Sequence, residues 1–172
     1  MTRVTPGGLR QLGPINYAIS RVGAKVIRAD DMHLFSTLGR SRRVFLGWLG
    51  YSGMLMPFGA LKRSESETVI MRVGYLRGNK YESMHHRWIG ARAGLTETQF
   101  ERIYDGTGWD DKSAALLAAV TELVQTKAIT DDTWARLSEF YTDRKLVEIV
   151  MLATNYDGLA TTIDVLGITP ER

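Results

Sequence analysis

The chain has 172 residues, 44% hydrophobic and 24% charged, the composition of one ordinary globular domain with enough apolar material for a core. Its 22 basic residues outnumber the 19 acidic ones only slightly and are scattered apart from Arg40, Arg42 and Arg43, so nothing asks for a nucleic-acid partner. There is no cysteine, which excludes disulfides, thiolate metal sites and thiol redox chemistry.

In chain order, residues 1–14 lack the apolar core of a signal peptide and read as an extended, poorly ordered lead-in, with a cytoplasmic protein as the default. Ile15 to Ala29 places Ile15, Ala18, Ile19, Val22, Val26 and Ile27 at helical spacing, a face suited to docking on a neighbouring subunit. Met32 to Leu38 is a short helix in which His33 reads as a surface histidine. Ser41 to Met56 reads as a core helix carrying Val44, Phe45, Trp48, Leu49, Leu55 and Met56. The uncharged run from Val44 to Leu61 falls short of the roughly 20 apolar residues a membrane span needs, and Pro57 interrupts it.

Ser64 and Glu67 have the spacing of a capping box for a helix that buries Val69, Ile70, Val73 and Leu76. Gly78-Asn79 stops that helix, and Tyr81 to Ala93 forms its close-packed partner, ended by Gly94. Thr96 and Gln99 cap a short helix from Phe100 to Tyr104. Asp110-Asp111 opens a helix with an Ala115, Leu116, Ala119, Val120, Leu123 and Val124 face. Thr130 to Asp132 caps the next, with Trp134, Leu137 and Phe140, and Asp143 opens a last long segment. With no alternating run of strand length and no hairpin turn between β-branched runs, the fold class is all-α.

Chemistry concentrates in Glu67 to Gly94. On a helix, Glu82 and His86 stand one turn apart on one face, where a carboxylate beside an imidazole makes an acid–base pair near neutral pH. The alternative is an ordinary helix pair, and for Glu67 it is the capping box. His85 points about 100° away from His86 and reads as an exposed or interface residue. Arg72, Arg77 and Arg87 are arginines suited to an anionic substrate, with solvated helix faces as the competing reading. Trp88, Tyr75 and Tyr104 are either pocket walls or core. Two ligands at i,i+4 with a distant third make a weak metal signal, and no metal is assigned.

Glu67, Arg72-Val73, Tyr81-Glu82, His86, Ala91 and Gly94-Leu95 together form a pattern that continues through Trp109, Ala114 to Ala119, Glu122-Leu123, Ile129 to Asp131, Trp134, Leu146 to Val150 and Asn155-Tyr156. From roughly Leu38 to Gly167 this pattern resembles the carboxymuconolactone decarboxylase family, which includes the alkylhydroperoxidase D branch. The resemblance implies a single helical-bundle domain over residues 38–172 after a lead-in and helix over 1–37, packed into a homo-oligomer, a trimer or hexamer. It implies a cofactor-independent lyase acting on a carboxylated lactone or related small acid, with His86, Glu82 and Glu67 catalytic. Substrate binding then falls to Arg72, Asn79 and Trp88. The positions of the peroxidase branch's two cysteines hold Asn79 and Glu82, so thiol peroxidase activity is rejected. A non-catalytic small-molecule-binding or scaffold protein on the same fold is the alternative.

Overall fold

The computed structural model describes residues 2–171; Met1 and Arg172, the outer ends of the two expected regions, lie outside the described residues. Among the described residues there are nine helices and no strand. They divide into two compact units, one formed by the chain up to Gly53 together with Thr161 onward, the other by Met54–Ala160.

In the first unit, α1 (Leu9–Val26) begins inside the stretch expected to be extended. Gly13 interrupts it with φ +74°, and Pro14, whose missing N–H suits the first turn of a helix, restarts it. Arg42 holds this break, donating to the carbonyls of Arg10 at 2.9 Å and Gln11 at 3.1 Å. A side chain at Gly13 would meet the Arg42 guanidinium at 3.0 Å.

The face that α1 buries is Leu12, Asn16, Ser20, Gly23 and Ala24, small or polar after Leu12. Asn16 reaches the carbonyls of Gly39 and Arg42, and Gly23 leaves room for Met32 and Phe35. Ile15, Val22 and Val26, the stripe picked out by spacing, face outward, each more than half exposed.

α2 (His33–Leu38) is short, and His33 is half-buried, its Nδ1 2.8 Å from the carbonyl of Thr169; it is not a plain surface histidine. Phe35 packs edge-on against Phe45 and Trp48 of α3 (Arg42–Leu55). Phe45 and Leu55 are buried, but Val44, Leu46, Tyr51 and Met54 are exposed, so α3 is not the core helix its composition suggested. Gly47, Gly50 and Gly53 open onto empty space.

The second unit is built on α4 (Arg63–Leu76), against which α5 (Lys80–Arg92), α6 (Glu97–Asp105) and α7 (Asp111–Thr126) pack. Val69, Ile70, Met71 and Val73 are fully buried, and so is Glu67. Gly74 lets α5 come close: a side chain there would meet Ser83 and Glu82 of α5. The link is one tight turn, with Gly78 at φ +61° and Asn79 accepting from the N–H of Glu82 as N-cap.

α4 starts one residue before Ser64, at Arg63. Lys62 is the N-cap residue and its N–H donates to Glu65, so Glu67 is not part of a capping box. Thr96 with Gln99 does cap α6 as expected. Thr130 caps α8 (Asp131–Ser138), where Leu137 is buried and Trp134 is exposed, as is Phe140 just beyond the helix. α9 (Asp143–Leu166) brings Tyr156 into this unit. No helix among the described residues is long and apolar enough to cross a membrane.

Candidate functional site

Two helical pairs of charged residues meet where α5 lies along α4. Arg63 and Glu67 are one turn apart on α4, and Glu82 and His86 are one turn apart on α5. Because the Asn79 turn fixes the register of the two helices, His86 lands between both carboxylates. Its Nδ1 is 2.7 Å from Glu67 Oε2 and its Nε2 is 3.3 Å from Glu82 Oε2. Glu67 Oε1 is in turn 2.9 Å from Arg63 Nη2, an ion pair whose N–H groups do not align on the oxygen as a hydrogen bond. Tyr156 of α9 closes the far side, its ring edge-on to the imidazole at 5.2 Å.

This geometry favours an imidazolium. A neutral imidazole has one donor and one acceptor nitrogen, whereas ionised carboxylates only accept, so satisfying both contacts takes the doubly protonated ring. Glu67, Glu82, His86 and Tyr156 are all under a tenth exposed, where an unpaired charge is costly and a paired one interacts strongly. Burial pulls the His86 pKa down, but the charge and hydrogen bond of Glu67, joined by those of Glu82, outweigh it and hold the group up at about 9. Arg63, Glu67, His86 and Glu82 therefore form a chain of alternating sign with no net charge. Tyr156 titrates well above the ordinary tyrosine range, first because it is buried and then because Glu82 and Glu67 oppose a phenolate there.

The two imidazole contacts are unequal. The short one to Glu67 orients the ring, and the longer one to Glu82 leaves the Nε2 proton as the one most readily given up. The arrangement can deliver a proton; with both nitrogens protonated and facing carboxylate acceptors, it is not set up as a general base.

Of the residues expected here, His86, Glu82 and Glu67 are brought together, and the others have different occupations. Arg72 donates to the carbonyls of Ile103 and Tyr104 at 2.7 and 2.9 Å and to Thr121, capping the C-terminal end of α6 instead of facing the imidazole. Asn79 is buried as the N-cap of α5 and bonds the carbonyl of Ala160. Trp88 lies two residues beyond His86, on another face of α5, stacked under Arg92. Arg77 pairs with Asp157 and Arg87 with Glu97. His85 is buried beside Tyr81 with ring centres 4.5 Å apart, not exposed.

Two members of the site carried no assigned role in the sequence. Arg63 was legible in principle, since it sits four residues before Glu67 on the same helix. Tyr156, 70 residues beyond His86, has no local signal. Among the described residues no group of three or more histidines and carboxylates has metal-site geometry.

No protein-family profile and no curated protein matches the chain. Solved structures do. The debrominase Bmp8 superimposes with a TM-score of 0.85 at 16% identity, covering 99% of this chain and 93% of that one. That enzyme has also been solved with 2,3,4-tribromopyrrole bound. A peroxidase-related protein from Ralstonia eutropha with an alkylhydroperoxidase AhpD core matches with a TM-score of 0.82 at 13% identity, covering 99% and 94%. A peroxidase-related protein from a Silicibacter species gives 0.82 at 11% identity, covering 96% and 92%. On this evidence the chain has the alkylhydroperoxidase D-like fold, in a form with no cysteine to carry a thiol peroxidase reaction.

Proposed function

We propose that the protein is a cofactor-independent lyase of the carboxymuconolactone decarboxylase type, acting on a carboxylated lactone or related small acid. The observation that carries this reading is the imidazolium of His86, clamped between two buried carboxylates with one contact loose. Loss of carbon dioxide from a carboxylate on a saturated carbon α to a lactone carbonyl, or γ to it through a double bond, leaves the bonding electron pair delocalised into the carbonyl as an enolate. The reaction completes when that carbon takes a proton from His86 Nε2 and His86 is reprotonated from solvent. An acid that stays charged past neutral pH suits this step, because the enolate is a much stronger base than the imidazole it leaves behind. Glu67 holds the ring, and Glu82 holds the outgoing proton until the carbon competes for it.

The burial of all three groups also favours a second reading, in which the chain of charges is a structural element of a small-molecule-binding or scaffold protein. Turnover separates the two. Carbon dioxide release from a panel of lactone acids is measured with the native protein and with His86→Gln, each checked for folding by circular dichroism. Turnover that disappears with a folded His86→Gln supports the lyase; turnover that survives it sinks the assignment.

The reading includes a small-molecule substrate, a cytoplasmic setting and a homo-oligomer, trimer or hexamer. The outward apolar residues of α1 and α3, Ile15, Val22, Val26, Val44 and Met54 among them, support self-association, since covering them would be favourable. A monomer by light scattering contradicts that part.

A further inference from the structure

Two hydrogen-bond donors at the His86 site have no acceptor. Arg63 uses Nη2 on Glu67, but its Nη1 is buried and has no hydrogen-bond partner among the described residues. The Tyr156 hydroxyl, whose ring stands directly against the imidazole, also makes no hydrogen bond among the described residues, but unlike Arg63 Nη1 it is not fully buried. Buried donors are nearly always satisfied, so Arg63 Nη1 points to an acceptor that arrives with a ligand, and the Tyr156 hydroxyl is a second donor beside the same reactive group. No protein acceptor is aligned on Nη1: Glu67 Oε1 lies 2.9 Å from Nη2 and is itself without a hydrogen-bond partner, while Glu67 Oε2 and an oxygen of Glu82 face the imidazole.

We propose that Arg63 Nη1 and the Tyr156 hydroxyl form an oxyanion site, binding the substrate oxygen on which negative charge gathers while His86 protonates the adjacent carbon. The ligand class is an enolisable carbonyl compound, bound most tightly in its enolate form. This rests on the acid role given to His86 above and adds where the opposite charge is held.

The chemistry of both donors fits. Guanidinium stays charged throughout the working range, and a tyrosine kept protonated by burial and two neighbouring carboxylates remains a donor. Donors fixed in place before reaction stabilise a developing oxyanion without reorganising, and a dry site strengthens them. The Arg63 side chain is 34% exposed through atoms other than the buried Nη1, so solvent lies one side chain away from the site. This corner is the natural entry for a small planar molecule, since Glu67, Glu82 and His86 are enclosed.

Phenolates imitate an enolate oxygen and report their own ionisation by colour. The probe is para-nitrophenol, titrated spectroscopically against the native protein, with para-nitroanisole as the uncharged control. The expected result is saturable binding of the phenolate, with the apparent pKa of the dye lowered on the protein. Tyr156→Phe and Arg63→Lys are each expected to weaken the phenolate roughly tenfold, as loss of a hydrogen bond to a charged group does, and to leave the anisole unaffected. In both variants the His86 ring resonance should keep its raised titration midpoint, which establishes that the site is still assembled. Failure of the native protein to bind the phenolate overturns the proposal, as does binding that both substitutions leave intact. Phenolate affinity that depends on His86 but on neither donor overturns it as well, because the imidazolium alone then accounts for the attraction. The lyase reading fails separately, by absence of turnover, and that outcome leaves the phenolate measurements meaningful.

Discussion

α1 and α4 depart from the usual sorting of polar and apolar residues in opposite directions. α1 turns Ile15, Val22 and Val26 outward and buries Asn16, Ser20 and Gly23, while α4 buries Glu67 among Val69, Ile70 and Met71. A buried carboxylate survives only with partners, and Glu67 has two, on two different helices. An exposed apolar stripe needs no partner to persist in one chain, but it gains free energy from any surface that covers it. The buried carboxylate is resolved inside the molecule, in the cluster proposed above to carry the chemistry. The exposed stripe is unresolved within one chain, and self-association is the proposed resolution.

The comparison breaks most severely at Glu67. Glu67→Ala strands the imidazolium and Arg63 in a buried site, and we expect a loss of about 3–5 kcal/mol, measured by urea unfolding. A loss below about 1 kcal/mol would show that water already screens the cluster.

The pH dependence follows from His86, whose folded pKa of about 9 stands above its ordinary 6.5. A raised pKa stabilises the fold fully below the unfolded value, and that contribution disappears as pH rises through the folded one. Stability should therefore fall between about pH 6.5 and 9.5 by on the order of 3 kcal/mol. His86→Gln should flatten that slope, which chemical denaturation at several pH values checks.

How much of this was legible depends on the range of each signal. Glu82 and His86 are neighbours through helical spacing alone, and the structure brings them within 3.3 Å. Glu67 was ambiguous because Ser64 precedes it at capping distance. The ambiguity ends only when α4 is seen to be capped at Lys62, which assigns the capping position to Glu65. Arg72 looked like a ligand-binding arginine because no sequence rule says that α6 will end beside it. α3 misled for a different reason: periodicity shows which residues share a face, but not whether anything within the chain covers that face. Tyr156 depended on a tertiary contact across some seventy residues from His86.

Smaller effects sharpen the contrast. Asn79→Ala removes the α5 cap and a bond to the carbonyl of Ala160, and should cost about 1–2 kcal/mol while weakening the register that aligns His86 with Glu67. Gly47→Ala on α3 meets open space, so in an isolated chain it should stabilise by about 0.5–1 kcal/mol through helix propensity. If a second copy packs closely on that face, the sign reverses, and thermal unfolding at several protein concentrations distinguishes the two.

The central claim is that His86 is an imidazolium held between two buried carboxylates. Its most direct test is an NMR titration of the His86 ring, with Glu82→Gln for comparison. The account predicts a midpoint near 9 that drops when Glu82 loses its charge. A midpoint near the ordinary 6.5, indifferent to Glu82, would contradict it and reduce the cluster to an unremarkable pair on a helix face.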